Sequence, residues 1–142
     1  FNRSRHEVPY RYFDSLEALA DWCSVLIIAV RAGPETNHVV NANILGRLGE
    51  DGHVINIARG SVIDQQALIE ALANKVIAGA GLDVFAREPQ PPDALTALPN
   101  VVLTPHTGGH TLESHVAMQD CVLANLNAYF AGKPLPYPVK AI

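Results

Sequence analysis

The sequence predicts an α/β domain: a mostly parallel, doubly wound sheet with helices over both faces. Three observations point to it. Apolar runs at 24–30, 54–58, from 77 and at 101–104 are short and rich in β-branched residues, as strands are. Helical patterns at 14–21, 41–48, 65–75 and 111–131 alternate with them, which is the spacing of βαβ units. The later apolar runs each end on a polar signal: Arg59, then Asp83 and Glu88, then His106. Buried parallel strands read as continuous hydrophobic runs, and ligands bind just past their carboxyl ends.

Taken in order, the first helix (14–21) has Asp14 or Ser15 as its N-cap and Glu17 in its first turn, where it favours the helix dipole. The run S-V-L-I-I-A-V (24–30) is a buried strand that breaks at Gly33-Pro34. A helix follows at 41–48, capped by Asn41 or Asn43 and weakened by Gly46. The G-E-D-G turn (49–52) leads into the strand at Val54. Asp64 caps the helix at 65–75, whose Ala67, Leu68, Ala71 and Leu72 recur at helical spacing. A strand from Ile77, a proline-rich loop at 89–99, a strand at 101–104 and a long helix ending at Gly132 complete the order. The tail P-L-P-Y-P (134–138) suits neither helix nor central strand.

A chain of 142 residues, 49% hydrophobic, is one domain with a real core. No apolar run approaches the roughly 20 residues of a membrane span. A formal charge of −4 argues against a nucleic-acid partner. The local exception is the N-terminal stretch, where Arg3, Arg5, His6 and Arg11 suit a small anion. Cys23 and Cys121 lie far apart in apolar or helical contexts, so they read as reduced thiols of a cytoplasmic protein.

Arg59, just past a strand of five residues expected to be buried on both sides, can clamp a carboxylate bidentately. A surface arginine pairing with an acid would occupy the same place. Asp83 and Glu88 after their strand can equally cap a helix or face water. His106 is the sharpest of the histidines, because P-H-T-G-G restrains its backbone and puts small residues beside it. His106, His110 and His115 lack a Cys or carboxylate cluster to complete a metal site, and the last two are expected on different helix faces. Gly79-Ala80-Gly81 begins like G-x-G-x-x-G, but the sixth position is Val84 and the run continues as strand, so it is not the dinucleotide fingerprint.

Together I-N-I-A-R-G-S-V-I-D (55–64), A-G-A-G-L-D-V-F-A-R-E-P (78–89) and L-T-P-H-T-G-G (103–109) resemble the three signature stretches of the D-isomer-specific 2-hydroxyacid dehydrogenases, in that family's order. The resemblance is to the glyoxylate and hydroxypyruvate reductase branch. It implies a Rossmann-like fold entered before the end of its second strand, with 1–133 as a partial NAD(P)-binding domain. Residues 134–142 would be a tail returning to a substrate domain this sequence does not contain. It implies that Arg59 orients and polarises a 2-oxo acid, that His106 protonates the carbonyl oxygen as hydride arrives, and that Glu88 hydrogen-bonds the imidazole. A carboxylate beside the ring favours its protonated form. By the same resemblance Asp83 holds the nicotinamide carboxamide and Gly108 lets backbone approach that ring. Val30, Arg31, Thr36, Ile57 and Ala58 line the cofactor cleft.

Where NAD-using relatives end their second strand on an acid, this sequence offers Asn2, Arg3, Ser4 and Arg5. That implies NADPH in preference to NADH, because arginines attract a 2′-phosphate. The expected partners are a small 2-oxo acid and a second copy of the chain, with no nucleic acid and no membrane. Two other readings stay open: a dinucleotide-sensing corepressor of the same superfamily, and an inert fragment. Without the glycine-rich loop and the substrate domain, this polypeptide alone is expected to be inactive.

Overall fold

The computed structural model describes residues 1, 2 and 4–139. The chain divides into two compact units, one ending at His106 and one beginning at Thr107. In the first, β1 (Val25–Ile28), β2 (His53–Asn56), β3 (Gly79–Leu82) and β4 (Val101–Leu103) form a four-stranded parallel sheet in chain order. The fold class is the expected Rossmann-like α/β arrangement. Parallel neighbours require crossovers, and α2 (Ala42–Leu48), α3 (Gln65–Ala73) and a short α4 (Asp93–Thr96) lie within them.

The register decides what each face does. Leu26, Val54, Ala80 and Val101 form one row, and Ile28, Asn56, Leu82 and Leu103 the next. Both rows face Ile44, Leu45, Leu48, Leu68 and Leu72, which are buried with them in a single core. Helices of seven and nine residues are too short to persist alone. Docking of these leucines, at about 1.5–3 kcal/mol for each fully buried side chain, holds them. The alternate row, Ile27, Ile55, Gly81 and Val102, faces away, with Ile27 63% and Val102 69% exposed. Helical cover on both faces is therefore met on one face of this unit. Right-handed crossovers that always advance in the same direction place every connecting helix on the same side.

Local chemistry sets the starts. Ser15 caps α1 (Leu16–Ala20), accepting from Ala18 N at 3.1 Å. Asn41 Oδ1 caps α2, and Asp64 Oδ1 caps α3, each accepting two backbone N–H groups. Arg47 on α2 pairs with Asp21 just after α1 at 2.7 Å. Three expectations need correction. The third strand begins at Gly79, because Ile77, fully buried, enters the core before the ladder starts. The 89–99 loop contains α4, whose Leu95 is fully buried and whose preceding Pro92 is preset for a helix start. β2 has four residues and alternates, with Val54 and Asn56 buried but His53 exposed, since only one face is covered.

The second unit is α5 (Leu112–Phe130) and the tail. Thr111 and Ser114 cap α5 reciprocally, Ser114 N donating to Thr111 Oγ1 at 3.1 Å and Thr111 N to Ser114 Oγ at 3.2 Å. Gly132, at φ 65°, follows the helix end as expected. Asn125 holds the tail from within this unit, bonding both N and O of Tyr137. Among the described residues no helix is long and apolar enough to cross a membrane.

Candidate active site

Because the strands are parallel and in register, Ile28, Asn56, Leu82 and Leu103 end them at one level, and the loops that follow share one edge. At the end of β2, Ile57 N still donates to Ile28 O at 3.2 Å before the chain turns away. Asn56, 1% exposed, closes the turn. Its Oδ1 accepts from Ala58 N and its Nδ2 donates to Arg59 O, both at 3.0 Å. Arg59 is exposed at the mouth, with Nη1 donating to Ala58 O at 2.6 Å. Gly60 follows with no room for a side chain. A Cβ there would stand 1.9 Å from the carbonyl carbon and oxygen of Phe85, so this turn lies directly on the loop after β3.

That loop carries the acids. Asp83, buried, donates its N–H to Asn56 O at 3.0 Å and accepts at Oδ1 from Thr104 Oγ1. Gln65 of α3 accepts from Ala86 N at 3.1 Å. Glu88 Oε1 accepts from Phe85 N at 3.2 Å, and its Oε2 lies 2.7 Å from His106 Nδ1. The hydrogen bond from His106 is the main cause that holds the Glu88 carboxyl below the ordinary glutamate range. The Phe85 N–H and the charges of His106 and Arg59 add to it against some desolvation. An ionised carboxylate only accepts, so Nδ1 carries the proton and Nε2 is the nitrogen left for a ligand. His106 itself sits at φ 56°, a left-handed conformation uncommon outside glycine.

The structure thus brings Arg59, Asp83, Glu88 and His106 to one edge, with Ile57 exposed and Ala58 buried beside them. After β1, Val30 is half-buried and Arg31 exposed, while Thr36 turns its hydroxyl into its own loop, accepting from Gly33 N at 2.9 Å and donating to Arg31 O at 3.1 Å. At the N-terminus, Tyr12 donates to Asn2 O at 2.7 Å and Arg5 lies over the Tyr12 ring at 5.4 Å. Ser4 is exposed. Arg11 is engaged with Phe13, 4.6 Å from its ring centre. Arg3 lies outside the described residues, and Gly108 belongs to the second unit, in the turn before α5. His110 and His115, expected on different faces, have ring centres 5.5 Å apart because His110 precedes the helix. Among the described residues no three His, Cys, Asp or Glu side chains group as a metal site.

Sequence reasoning missed Asn56, Gly60, Gln65 and Thr104. A polar residue closing an apolar strand was a visible signal for Asn56. The close approach at Gly60 joins segments far apart in the chain and had none.

Residues 1–108 match the sequence profile of the D-isomer specific 2-hydroxyacid dehydrogenase NAD binding domain. The chain belongs to this dehydrogenase family. Among curated relatives it is 44% identical over 140 residues to a hydroxyphenylpyruvate reductase of Plectranthus scutellarioides, covering 98% of this chain and 45% of that protein. It is 46% identical over 138 residues to a 2-ketogluconate reductase of Gluconobacter oxydans, covering 97% and 44%. Among solved structures it superposes with a TM-score of 0.90 on an NADPH-dependent glyoxylate/hydroxypyruvate reductase of Sinorhizobium meliloti in complex with NADP and malonate. That match is 40% identical and covers 98% of this chain and 46% of the other. This dehydrogenase chain therefore spans a little under half the length of the relatives it matches.

Proposed function

We propose that this chain forms the cofactor-binding part of a reductase that converts small 2-oxo acids, glyoxylate or hydroxypyruvate, to 2-hydroxy acids with NADPH. The observation that carries this reading is the Glu88–His106 pair at 2.7 Å, facing the same strand-end edge as Arg59, whose charge acts on Glu88. Residues 1–133 belong to the cofactor domain and 134–142 to a tail.

The residues present suit a dinucleotide. Val30, Arg31, Thr36, Ile57 and Ala58 would line its cleft, and the buried Asp83 would meet its carboxamide. Around Arg5, His6, Glu7, Tyr10 and Tyr12 lies a concave, largely polar surface of about 720 Å³. Together with the basic N-terminal sequence around Arg5, this supports 2′-phosphate binding and hence NADPH over NADH. Bound NADPH supplies the hydride that reduces the substrate's C2. Arg59 holds the substrate carboxylate and draws electron density from its carbonyl. With its ring doubly protonated, His106 delivers the Nε2 proton to the carbonyl oxygen and is left neutral, keeping the Nδ1 proton that faces Glu88. Glu88 fixes the tautomer and orientation of the ring and stabilises its charged form. A homodimer, by likeness to the family, and a reducing cytoplasmic setting, in keeping with two free cysteines, belong to the same reading.

The test is NADPH oxidation by the intact protein with glyoxylate and hydroxypyruvate. His106→Ala is expected to lower kcat by roughly 10²–10⁴. Turnover of 2-oxo acids undiminished by this substitution refutes the assignment.

A further inference from the structure

Where β2 ends, the chain leaves the ladder while still buried. Ala58 is 6% exposed, and neither Ala58 N nor Arg59 O has a strand partner. Buried backbone groups need partners. Asn56 serves both from one side chain: its Oδ1 accepts from Ala58 N and its Nδ2 donates to Arg59 O, each at 3.0 Å, the latter alongside Val62 N, which donates to the same carbonyl at 3.2 Å. Its own carbonyl accepts from Asp83 N at 3.0 Å, which ties the same residue to the end of β3. Directly after Arg59, Gly60 lets the turn seat on Phe85 and Ala86, the start of the loop that carries Glu88. Arg59 thus leaves a turn fixed at both ends, and its direction relative to Glu88 and His106 follows from that turn. A solvated guanidinium on a free loop would have no such restraint.

We propose that Asn56 is the positioning residue for Arg59: its side chain sets the turn that aims the guanidinium at the substrate carboxylate, and the protein's affinity for 2-oxo acids depends on it. The inference rests on the reading that Arg59 binds the substrate. Asn56→Asp keeps the size and the Oδ1 acceptor but replaces the donor to Arg59 O with a second acceptor facing that carbonyl.

In the intact protein Asn56→Asp is expected to raise KM for glyoxylate by about tenfold or more, since misplacement of about 1 Å can cost about a hundredfold. The NADPH dissociation constant, read by fluorescence, should stay unchanged. Arg59→Lys should show the same split. The Asn56→Asp/Arg59→Lys double variant should be scarcely worse than either single one, because both act through one contact. Effects that simply multiply, or a melting point lowered with KM unchanged, overturn the proposal and leave Asn56 a stability residue. If Asn56→Asp does not fold, Asn56→Ser carries the same comparison, and failure of both to fold also overturns it. If Arg59→Lys leaves KM unchanged, the underlying reading fails. If Arg59→Lys raises KM and Asn56→Asp does not, only the role of Asn56 fails.

Discussion

Gly60→Ala is a one-methyl change whose consequence can be worked from the geometry. The added Cβ would meet Phe85 C and O at 1.9 Å and Ala86 N at 2.4 Å, all backbone atoms that no rotamer change can move aside. Restoring ordinary contact, which begins at 3.4 Å, separates the Arg59 turn from the Glu88 loop by about 1.5 Å. Two losses follow. Overpacking of this kind costs about 1–3 kcal/mol of stability. Displacing Arg59 from Glu88 and His106 by more than about 1 Å should lower kcat/KM roughly a hundredfold. The assay pairs thermal unfolding with NADPH oxidation normalised to folded protein. Gly46→Ala is the control: nothing lies within 4 Å of its added Cβ, and removing a mid-helix glycine should stabilise α2 by about 1 kcal/mol. A Gly60→Ala variant with unchanged melting point and kcat/KM would refute the close packing and the argument built on it.

Two further outcomes are expected. Glu88 has a depressed folded-state pKa, so its contribution is present above the unfolded value of about 4.3 and is lost as pH falls through the lower folded value. The stability gap between the protein and Glu88→Gln should therefore shrink below about pH 4.3. It should not exceed about 1 kcal/mol, since both side chains of the pair are a third or more exposed. Melting points across the acid range check this, and a gap constant at low pH contradicts it. Arg5→Glu should weaken NADPH binding by about tenfold or more while leaving NADH nearly unchanged, because one charge-assisted contact to a phosphate is lost. Equal losses for both cofactors would show that Arg5 does not read the 2′-phosphate.

Much of the fold was legible because its signals are local. Ser15, Asn41, Asp64 and Thr111 each satisfy N–H groups within the next turn, so a cap residue before an apolar repeat marks a start without tertiary information. The strand bounds were less legible. Gly79 and Gly81 have poor intrinsic strand preference and are held by β2 and β4 on either side. Likewise α4 exists in a proline-rich stretch because Leu95 is buried. The exposure of Ile27 and Val102 could not be read from composition, because both look like core residues.

The site divides in the same way. Arg59, Glu88 and His106 stand at the ends of apolar runs, and the motif order ties them to a family. The turn that fixes Arg59 depends on Asn56 hydrogen bonds and on contact between Gly60 and Phe85, pairings that only the folded chain creates.

Label transfer tests the central claim most directly. The intact protein would be supplied with glyoxylate and NADPH deuterated at C4, and the product examined by mass spectrometry and NMR. Hydride transfer at the Arg59, Glu88 and His106 edge predicts glycolate carrying deuterium at C2 in proportion to NADPH consumed, with the signal lost in His106→Ala. NADPH left unconsumed with every 2-oxo acid tried, or glycolate formed without the label, would contradict it.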